Sequence, residues 1–520
     1  MSNLYGVLPP SWESVKLGKF VENEKGKKPK KQTAEKTPEC NLPYVDIEAF
    51  EEGNIKSWTN GESCRICYES DLLMVWDGSR SGLIGKGMHG ALGSTLVRIN
   101  FPGMNNQYAY YFLLSKYQEI NTRAKGSGTP HVDPDLLWNY EFPIAPFNEQ
   151  QRIVAKIEEL FSELDNGIAA LKTAREQLKV YRQAVLKHAF EGKLTAKWRE
   201  ENADKLESPE QLLARIEQKR EARYQQQLED WEAAVKKWEE QGKEGKKPGK
   251  PKEFTKQGEI GAGSEIGFDI PETWKSMLLG HVFSVHVGAT PSRKKNEFWN
   301  GDIFWVSSGE VAFCEIYKTV ETITAEGYEN ASTEIHQEGT VLLAMIGEGK
   351  TRGQAAILRV QAAHNQNTAA IRVSEVGLPS EYIYYFLQYQ YEQTRRVGSG
   401  NNQKALNKNR VASIQFPLCS AEEQMAVVQA LSEKLSFVEN LDNELNIQLA
   451  KAETLRQSIL KKAFSGQLVL QDPNDEPASE LLARIQAEKA AEKAAQKASV
   501  KPKTTAKSGA KRGRKPKVAS

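Results

Sequence analysis

The chain has 520 residues, 39% of them hydrophobic and 27% charged, and a formal net charge of only +2. That length exceeds what one core can organise and predicts two or three domains. No apolar run approaches the ~18 residues that a membrane span requires, the longest, 341–346, being strand-sized. The Met1-Ser-Asn-Leu start lacks the charged and apolar regions of a signal peptide. Five scattered cysteines fit a reducing compartment, so a cytoplasmic protein is expected. The charge is unevenly placed: from residue 481 onward twelve Lys or Arg face two Glu, a net of +10, which leaves −8 on the rest. A body so balanced can engage nucleic acid only through local basic loops.

In chain order, Pro9-Pro-Ser-Trp-Glu-Ser-Val-Lys-Leu-Gly18 opens a unit of about 150 residues, and Pro271-Glu-Thr-Trp-Lys-Ser-Met-Leu-Leu-Gly280 opens another. Each continues with short apolar runs broken by Gly, Asn and Pro, which predict strands. These are 42–47 and 303–306, 72–76 and 341–346, then 94–99 and 368–373. A short helix is expected around Tyr110-Tyr-Phe-Leu113 and Tyr384-Tyr-Phe-Leu387, followed by Gly-Ser-Gly loops at 126–128 and 398–400.

Residues 141–194 and 415–468 then align without a gap at an offset of 274. Both have Phe-Pro in front, Glu-Gln at the start and Ala-Phe-x-Gly-x-Leu at the end. In the first, Ile153, Ile157, Leu160, Leu164, Ile168, Leu171, Ala174, Leu178, Tyr181, Val185 and Ala189 step by three or four. In the second, Val427, Leu431, Leu435, Val438, Leu441, Leu445, Leu449, Ala452, Leu455, Ile459 and Ala463 do the same. A stripe this long predicts a coiled-coil seam on a rod of roughly 60 Å. Ser420 and Glu423 form a capping-box pattern, and Gly192 and Gly466 stand where a helix stops. Leu-Leu-Ala-Arg-Ile recurs at 212–216 and 481–485. The first copy leads into a charged helix with Leu228, Trp231, Val235 and Trp238 on one face. The run 242–252 that follows has a flexible linker's composition and no apolar anchor, and 498–520 is basic and low in complexity, the composition of a disordered tail. Two equivalent rods bury their seams most simply as an antiparallel pair, so that one chain imitates a twofold dimer.

This layout resembles the specificity (S) subunit of type I restriction-modification enzymes over nearly the whole chain. The resemblance rests on the opening Pro-x-x-Trp-x-x-x-x-Leu-Gly, Gly301-Asp-Ile-Phe-Trp-Val306, Asn365-Gln-Asn367, the Gly-Ser loops and the Phe-Pro…Glu-Gln…Ala-Phe-x-Gly-x-Leu helices, in one order twice. It implies a mixed α/β fold of two target-recognition domains joined by two long antiparallel helices, with an internal pseudo-twofold repeat. The expected divisions are 1–148, 149–194, 195–255, 256–420, 421–468 and 469–520. It also implies that each domain reads half of a bipartite target in double-stranded DNA while the helices fix the gap. Two methyltransferase subunits, and through them two restriction-translocase subunits, would dock on the helices. The chain itself would be non-catalytic and hold no cofactor; S-adenosylmethionine, ATP and Mg would belong to the partners.

Base reading needs side chains that reach base edges, with Arg suited to guanine and Asn or Gln to adenine. In the second unit the candidates are Lys350, Arg352, Asn365, Gln366, Asn367, Arg395, Arg396, Asn401, Asn402, Gln403 and Lys404. In the first they are Arg80, Lys86, His89, Arg123, Lys125 and His131, with Ala91-Leu-Gly-Ser-Thr95 in place of Asn-Gln-Asn. Three further signals weigh less. Ala344-Met-Ile-Gly-Glu-Gly-Lys350-Thr351 loosely fits a phosphate loop, but 352–360 reads as a strand where such a loop needs a helix. Cys64-Arg-Ile-Cys67 has too few companions for a zinc site. Lys511-Arg-Gly-Arg-Lys-Pro-Lys517 resembles an AT-hook, a minor-groove element. Two rival readings are a P-loop ATPase with a coiled-coil arm and a coiled-coil scaffold that does not touch DNA.

Overall fold

In a computed structural model, residues 7–126, 128–245, 247–258, 266–331, 333–347, 349–396 and 406–499 are described. Asn401, Asn402, Gln403, Lys404 and the AT-hook-like run lie outside the described residues. The chain forms two compact units, 1–171 with 447–520 and 172–446, so each long helix belongs partly to both. Those helices are Phe147–Phe190 and Ala421–Phe464.

In the first unit, Glu13–Lys16 pairs antiparallel with Glu141–Ile144, bringing the opening motif beside the Phe-Pro segment. A four-stranded sheet follows in the order Glu22–Lys25, Leu96–Asn100, Leu72–Val75, Ile84–Lys86. A second sheet holds Leu42–Val45 parallel to Gly90–Leu92. The second unit repeats this plan. Lys275–Leu278 pairs with Gln415–Leu418, and Val285–Val287, Thr368–Ile371, Val341–Ala344 and Ala355–Leu358 lie in the same order, with Cys314–Ile316 added at the edge. Trp299–Val306 runs parallel to Ala362–His364. The six expected strands all appear, five of them a residue or two shorter or shifted, while 303–306 extends back to Trp299. The short helices extend to Asn106–Thr122 and Ser380–Tyr389 because Tyr108, Phe112, Tyr382 and Phe386 each turn a buried ring to the core.

The repeated motifs occupy equivalent places. Trp12 Nε1 donates to Glu149 Oε2 at 3.0 Å, and Trp274 Nε1 donates to Glu423 Oε2 at 2.8 Å. Gln150 and Gln424 each donate to a backbone carbonyl, of Ala145 and Cys419, at 2.9 Å. Tyr108 and Tyr382 hydroxyls donate to the carbonyls of Pro143 and Pro417. Thus the opening Trp, the Phe-Pro segment and the Glu-Gln pair form one buried polar joint that aims each helix. The expected capping box is only half made. Ser420 Oγ accepts from Glu423 N at 3.1 Å, but the Glu423 carboxylate turns to Trp274, Thr195 and Arg199, burial giving it stronger partners there. In the first unit, burial pushes the Glu149 carboxyl up, against the pull of the Trp12 hydrogen bond.

The helix ends make a second joint. In the first unit Phe464 packs on Tyr108 and Phe112, with ring centroids 5.2 and 5.3 Å apart. In the second, Phe190 packs on Tyr382 and Phe386 at 5.4 and 5.2 Å. Gly466 (φ +71°) and Gly192 (φ +68°) stop the helices in the left-handed region, and a Cβ there would strike Pro9 or Pro271 of the opening motif. The Leu-Leu-Ala-Arg-Ile segments cover the same cores: Leu481 and Ile485 are buried in the first unit, Leu212 and Ile216 in the second. Each is steadied by a two-pronged ion pair, Arg484–Glu476 and Arg215–Glu207.

Within each unit the helix segments run antiparallel. In the first, Arg152 pairs with Asp475 (2.7 Å) and Asp165 with Arg456, whose guanidinium also lies 4.6 Å over Phe161. In the second, Arg175 pairs with Asp442 (3.2 Å) and Arg199 with Glu423 (2.8 Å). The seam departs from the expected stripe. Tyr181, Leu441 and Leu455 are exposed, whereas Phe161, Leu186 and Leu460 are buried. Near its ends a helix meets both a neighbouring helix and a sheet-bearing core, which widens the buried face; elsewhere it meets the neighbour alone. The linker also differs from expectation. Trp231 Nε1 donates to the Pro248 carbonyl (3.0 Å) and Trp238 Nε1 to that of Gly245 (3.3 Å), while Phe254 lies 3.7 Å beneath Arg220. The chain after 242 therefore returns along the Trp face of Pro209–Glu240, the helix supplying the anchor the linker lacks.

Among the described residues, only the second unit holds a buried histidine pair. His336 Nε2 and His364 Nε2 are 3.1 Å apart, Arg372 Nε donates to His336 Nδ1, and His364 Nδ1 meets Thr368 Oγ1 at 2.6 Å. Burial pushes the His364 ring down to about 4 and His336 lower still, the Arg372 guanidinium beside them adding to the effect. Both rings are thus neutral in the fold.

Two predictions follow from these joints. Phe464→Ala, at a cost of about 3–5 kcal/mol, will speed amide exchange in Asn106–Thr122 and leave Ser380–Tyr389 protected, and Phe190→Ala will do the reverse; loss of protection at both places from either change would contradict two separate joints. For the histidines, the unfolded chain takes up protons below pH 6.5 that the folded chain refuses, so second-unit stability is intact above pH 6.5 and declines toward pH 4, by up to about 3 kcal/mol for His364. A His336→Gln/His364→Gln variant will show a flatter urea midpoint across that window; an unchanged slope would assign the acid sensitivity elsewhere.

Candidate nucleic-acid interface

Both units build their loops on one hydrogen-bonded frame. In the first, Trp76 N donates to Thr95 O (2.8 Å) and Val132 N to Trp76 O (2.9 Å). In the second, Met345 N donates to Asn367 O (2.8 Å) and Leu406 N to Met345 O (3.0 Å). Gly93 N to Val45 O, and Asn365 N to Val306 O, complete the match at 2.9 and 3.0 Å. Three segments therefore converge in each unit: a hairpin loop, a turn between two strands, and the chain that follows the Gly-Ser run. Gly93-Ser-Thr95 is the first unit's counterpart of Asn365-Gln-Asn367.

In the second unit, Tyr391 Oη donates to the Lys350 carbonyl at 2.6 Å and accepts from Arg395 Nη1 at 2.7 Å. Arg352 Nη2 donates to the Arg395 carbonyl at 3.0 Å. These bonds fasten the 345–353 loop to helix Tyr391–Arg396 and bring Lys350, Arg352 and Arg395 together, with the Lys350 side chain exposed. Of Arg396 only the backbone is described. Gln366 is exposed and accepts from Thr290 Oγ1; Asn367 is half-buried. Asn365 corrects the expectation of a base-facing amide. It is 6% exposed, and its Oδ1 accepts from Asn367 N (3.1 Å) and Thr368 Oγ1 (3.3 Å), which shapes the turn from inside.

In the first unit the structure joins Arg80, Lys125 and His131. Lys125 and His131 exchange backbone hydrogen bonds at 2.9 and 2.8 Å, and Gly78 N donates to Pro130 O at 2.7 Å, so the loop bearing Arg80 lies against the 125–131 turn. Their charges are shared with acids: Arg80 with Glu51, Lys125 with Asp133 at 2.9 Å, Arg123 with Glu119 at 3.4 Å. The bond to Asp133 holds the Lys125 ammonium pKa above its ordinary value. Of these pairs only Arg123–Glu119 is exposed on both sides, and such a pair is weak enough for a phosphate to displace. Lys86 and His89 fall elsewhere. Lys86 sits opposite Leu72, at the far end of the strand from Arg80, and the His89 ring lies tilted against Tyr68, centroids 5.5 Å apart. A hairpin separates sequence neighbours by its length, so proximity along the chain misplaced these two.

The sequence reading missed two basic loops that leave the same frame, 26–31 and 288–295. The signal was present: from Pro9 and Pro271 to Pro29 and Pro291 the openings align without a gap at an offset of 262, with Gly26 matching Gly288. The phosphate-loop pattern fails on structure, since strand Ala355–Leu358 follows it rather than a helix. Cys64 and Cys67 are free thiols, burial pushing Cys67 up to about 11, and no metal-competent cluster occurs among the described residues. No described helix is long and apolar enough to cross a membrane.

Comparison with known proteins agrees with this geometry. Residues 9–173 and 271–451 match the Type I restriction modification DNA specificity domain. The chain is 25% identical over 479 residues to the Type I restriction enzyme MjaVIII specificity subunit of Methanocaldococcus jannaschii, covering 90% of this chain and 95% of that one. It is 23% identical over 451 residues to the EcoBI specificity subunit of Escherichia coli, covering 84% and 82%. A solved chain from a study of complex assembly and conformational transition in the type I R-M system superposes with a TM-score of 0.61 at 18% identity, covering 89% of this chain and 99% of that one, and shares its fold. Two matched copies of the domain, laid on one repeated frame, place this chain in the family of type I restriction-modification specificity subunits.

Proposed function

We propose that this non-catalytic specificity subunit reads a bipartite target in double-stranded DNA, each unit taking one half-site. The observation that carries the reading is the frame itself. The same backbone bonds recur in both units, yet the side chains they present differ: Arg80, Lys125 and His131 against Lys350, Arg352, Gln366 and Arg395. A common scaffold with unlike loops yields half-sites of unlike sequence, with phosphate contacts setting register and base contacts setting identity. The long helices set the gap, because each is aimed at its start by a Trp–Glu bond and seated at its end by a Phe.

On the same reading the helices dock two methyltransferase subunits, which carry S-adenosylmethionine, and through them two restriction-translocase subunits that use ATP and Mg. Support comes from apolar side chains left in solvent on the helices, Val180 and Phe437 in the second unit and Leu455 in the first, since exposed aromatic and aliphatic anchors characterise interfaces. The P-loop rival loses its support with the missing helix.

Two measurements test the reading. Exchanging residues 1–148 for the corresponding unit of another specificity subunit, then mapping methylated bases in cells that also express the partner subunits, will change one half-site and keep the other and the gap; a change in both halves, or in neither, refutes it. Phe437→Asp will weaken assembly with the methyltransferase subunit at least tenfold, about 1.4 kcal/mol, with the thermal midpoint of the free chain unchanged, since that ring contributes little to the core; undiminished assembly would move the docking surface elsewhere.

A further inference from the structure

The loops at 26–31 and 288–295 stand at equivalent positions in the two units. Gly26 and Gly288 lie so close to the adjoining turn that a Cβ would strike the carbonyl of Gly93 or of His364. Pro29 and Pro291, three residues on, are both buried. Gly26 N donates to Leu96 O at 3.0 Å, and the Ala289 carbonyl accepts from Trp305 Nε1 at 3.1 Å. Thr290 donates to Gln366, so the second loop touches the candidate reading turn directly. Each loop is thus pinned at its base by glycine and proline, and what it holds out is positive.

In the first unit Lys27, Lys28 and Lys30 are exposed and have no ion-pair partner among the described residues, while Lys31 pairs with Glu39. In the second, Arg293 lies 3.9 Å over Trp299 and pairs with Glu321, which fixes the loop, and Lys294 and Lys295 stand exposed beyond it. Lys295 is 3.8 Å from Glu297, both half in solvent, and its ammonium lies 4.7 Å over Phe298, exposed contacts that a phosphate can outcompete. Beyond the shared glycine and proline the loops differ in sequence; only the sign of the charge and the place are kept. Outside residues 481–520 the chain is net negative, so two loops that each keep lysines in solvent beside a reading turn stand against the prevailing charge. Lysine on a flexible stem recognises a point charge and cannot make arginine's paired contact with a base edge.

We propose that these loops are a matched pair of backbone clamps, one per half-site, which bind DNA phosphates flanking the bases and supply affinity without sequence preference. The proposal rests on the duplex-reading function above and adds a division of labour to it: the turns identify, the lysine loops hold.

The test uses the complex with its methyltransferase subunits and two duplexes of equal length, one with the mapped target and one scrambled, titrated over a salt series. Each lost phosphate contact flattens the slope of log affinity against log salt by ~0.9. Lys27→Ala/Lys28→Ala/Lys30→Ala should therefore flatten it by about 2 to 3, and Lys294→Ala/Lys295→Ala by about 2, on both duplexes alike. The ratio of target to scrambled binding and the mapped methylation pattern should not move, and Lys→Arg at the same positions should restore the slope. An unchanged slope overturns the clamp; an altered ratio or half-site also overturns it, because the loops would then read bases. If the unaltered complex failed to prefer the target duplex, the half-site reading would fall, while the slope on scrambled DNA would still judge the loops.

Discussion

Everything in this chain depends on how the two long helices are finished. A 44-residue helix ending in Ala-Phe-x-Gly cannot bury its last ring by itself. Phe190 finds Tyr382 and Phe386, and Phe464 finds Tyr108 and Phe112. Each aromatic pocket sits beside the start of the other helix, so each core is closed only when a segment from the far half of the sequence arrives. Burial of a Phe side chain is worth about 1.5–3 kcal/mol, and the stopping glycine against proline admits no larger residue. That requirement, met twice, runs the helix segments antiparallel inside both units.

The joint at each helix start is polar where the joint at its end is apolar, and the two do different work. A buried carboxylate held by an indole has a direction: Glu149 and Glu423 can accept from Trp12 and Trp274 only when helix and opening strand are correctly set. An aromatic cluster tolerates small rotations that such a bond does not. The carboxylates are not equivalent, however. Glu423 also receives Thr195 and Arg199, whereas burial raises the Glu149 carboxyl. The two units share a backbone plan and differ in electrostatics, as also seen in the buried histidine pair, found among the described residues only in the second unit.

For function, the useful property is a frame whose bonds are all main-chain. Trp76 with Thr95 and Val132, and Met345 with Asn367 and Leu406, make the same pattern whatever side chains they carry. The loops between can vary without loss of the sheet. Glycine at 26 and 288 is the exception, required because another chain segment passes where its Cβ would be.

The residues alone determined the duplication, the six strands, the two long helices and the opening and closing motifs, because these are periodicities and repeats that survive without coordinates. They also separated cationic and amide-bearing loops from the rest and ruled against a nucleotide site, since 352–360 already reads as a strand. They did not reveal that Asn365 faces inward, that Lys86 lies at the other end of its strand from Arg80 and His89 packs on Tyr68, that Tyr181, Leu441 and Leu455 are exposed, or that a polar linker is anchored by Trp231 and Trp238. Only the tertiary structure decided those points. A side chain's role depends on which distant segment stands opposite it, and pairings such as Trp12 with Glu149, or Phe464 with Tyr108, join residues that no local pattern connects.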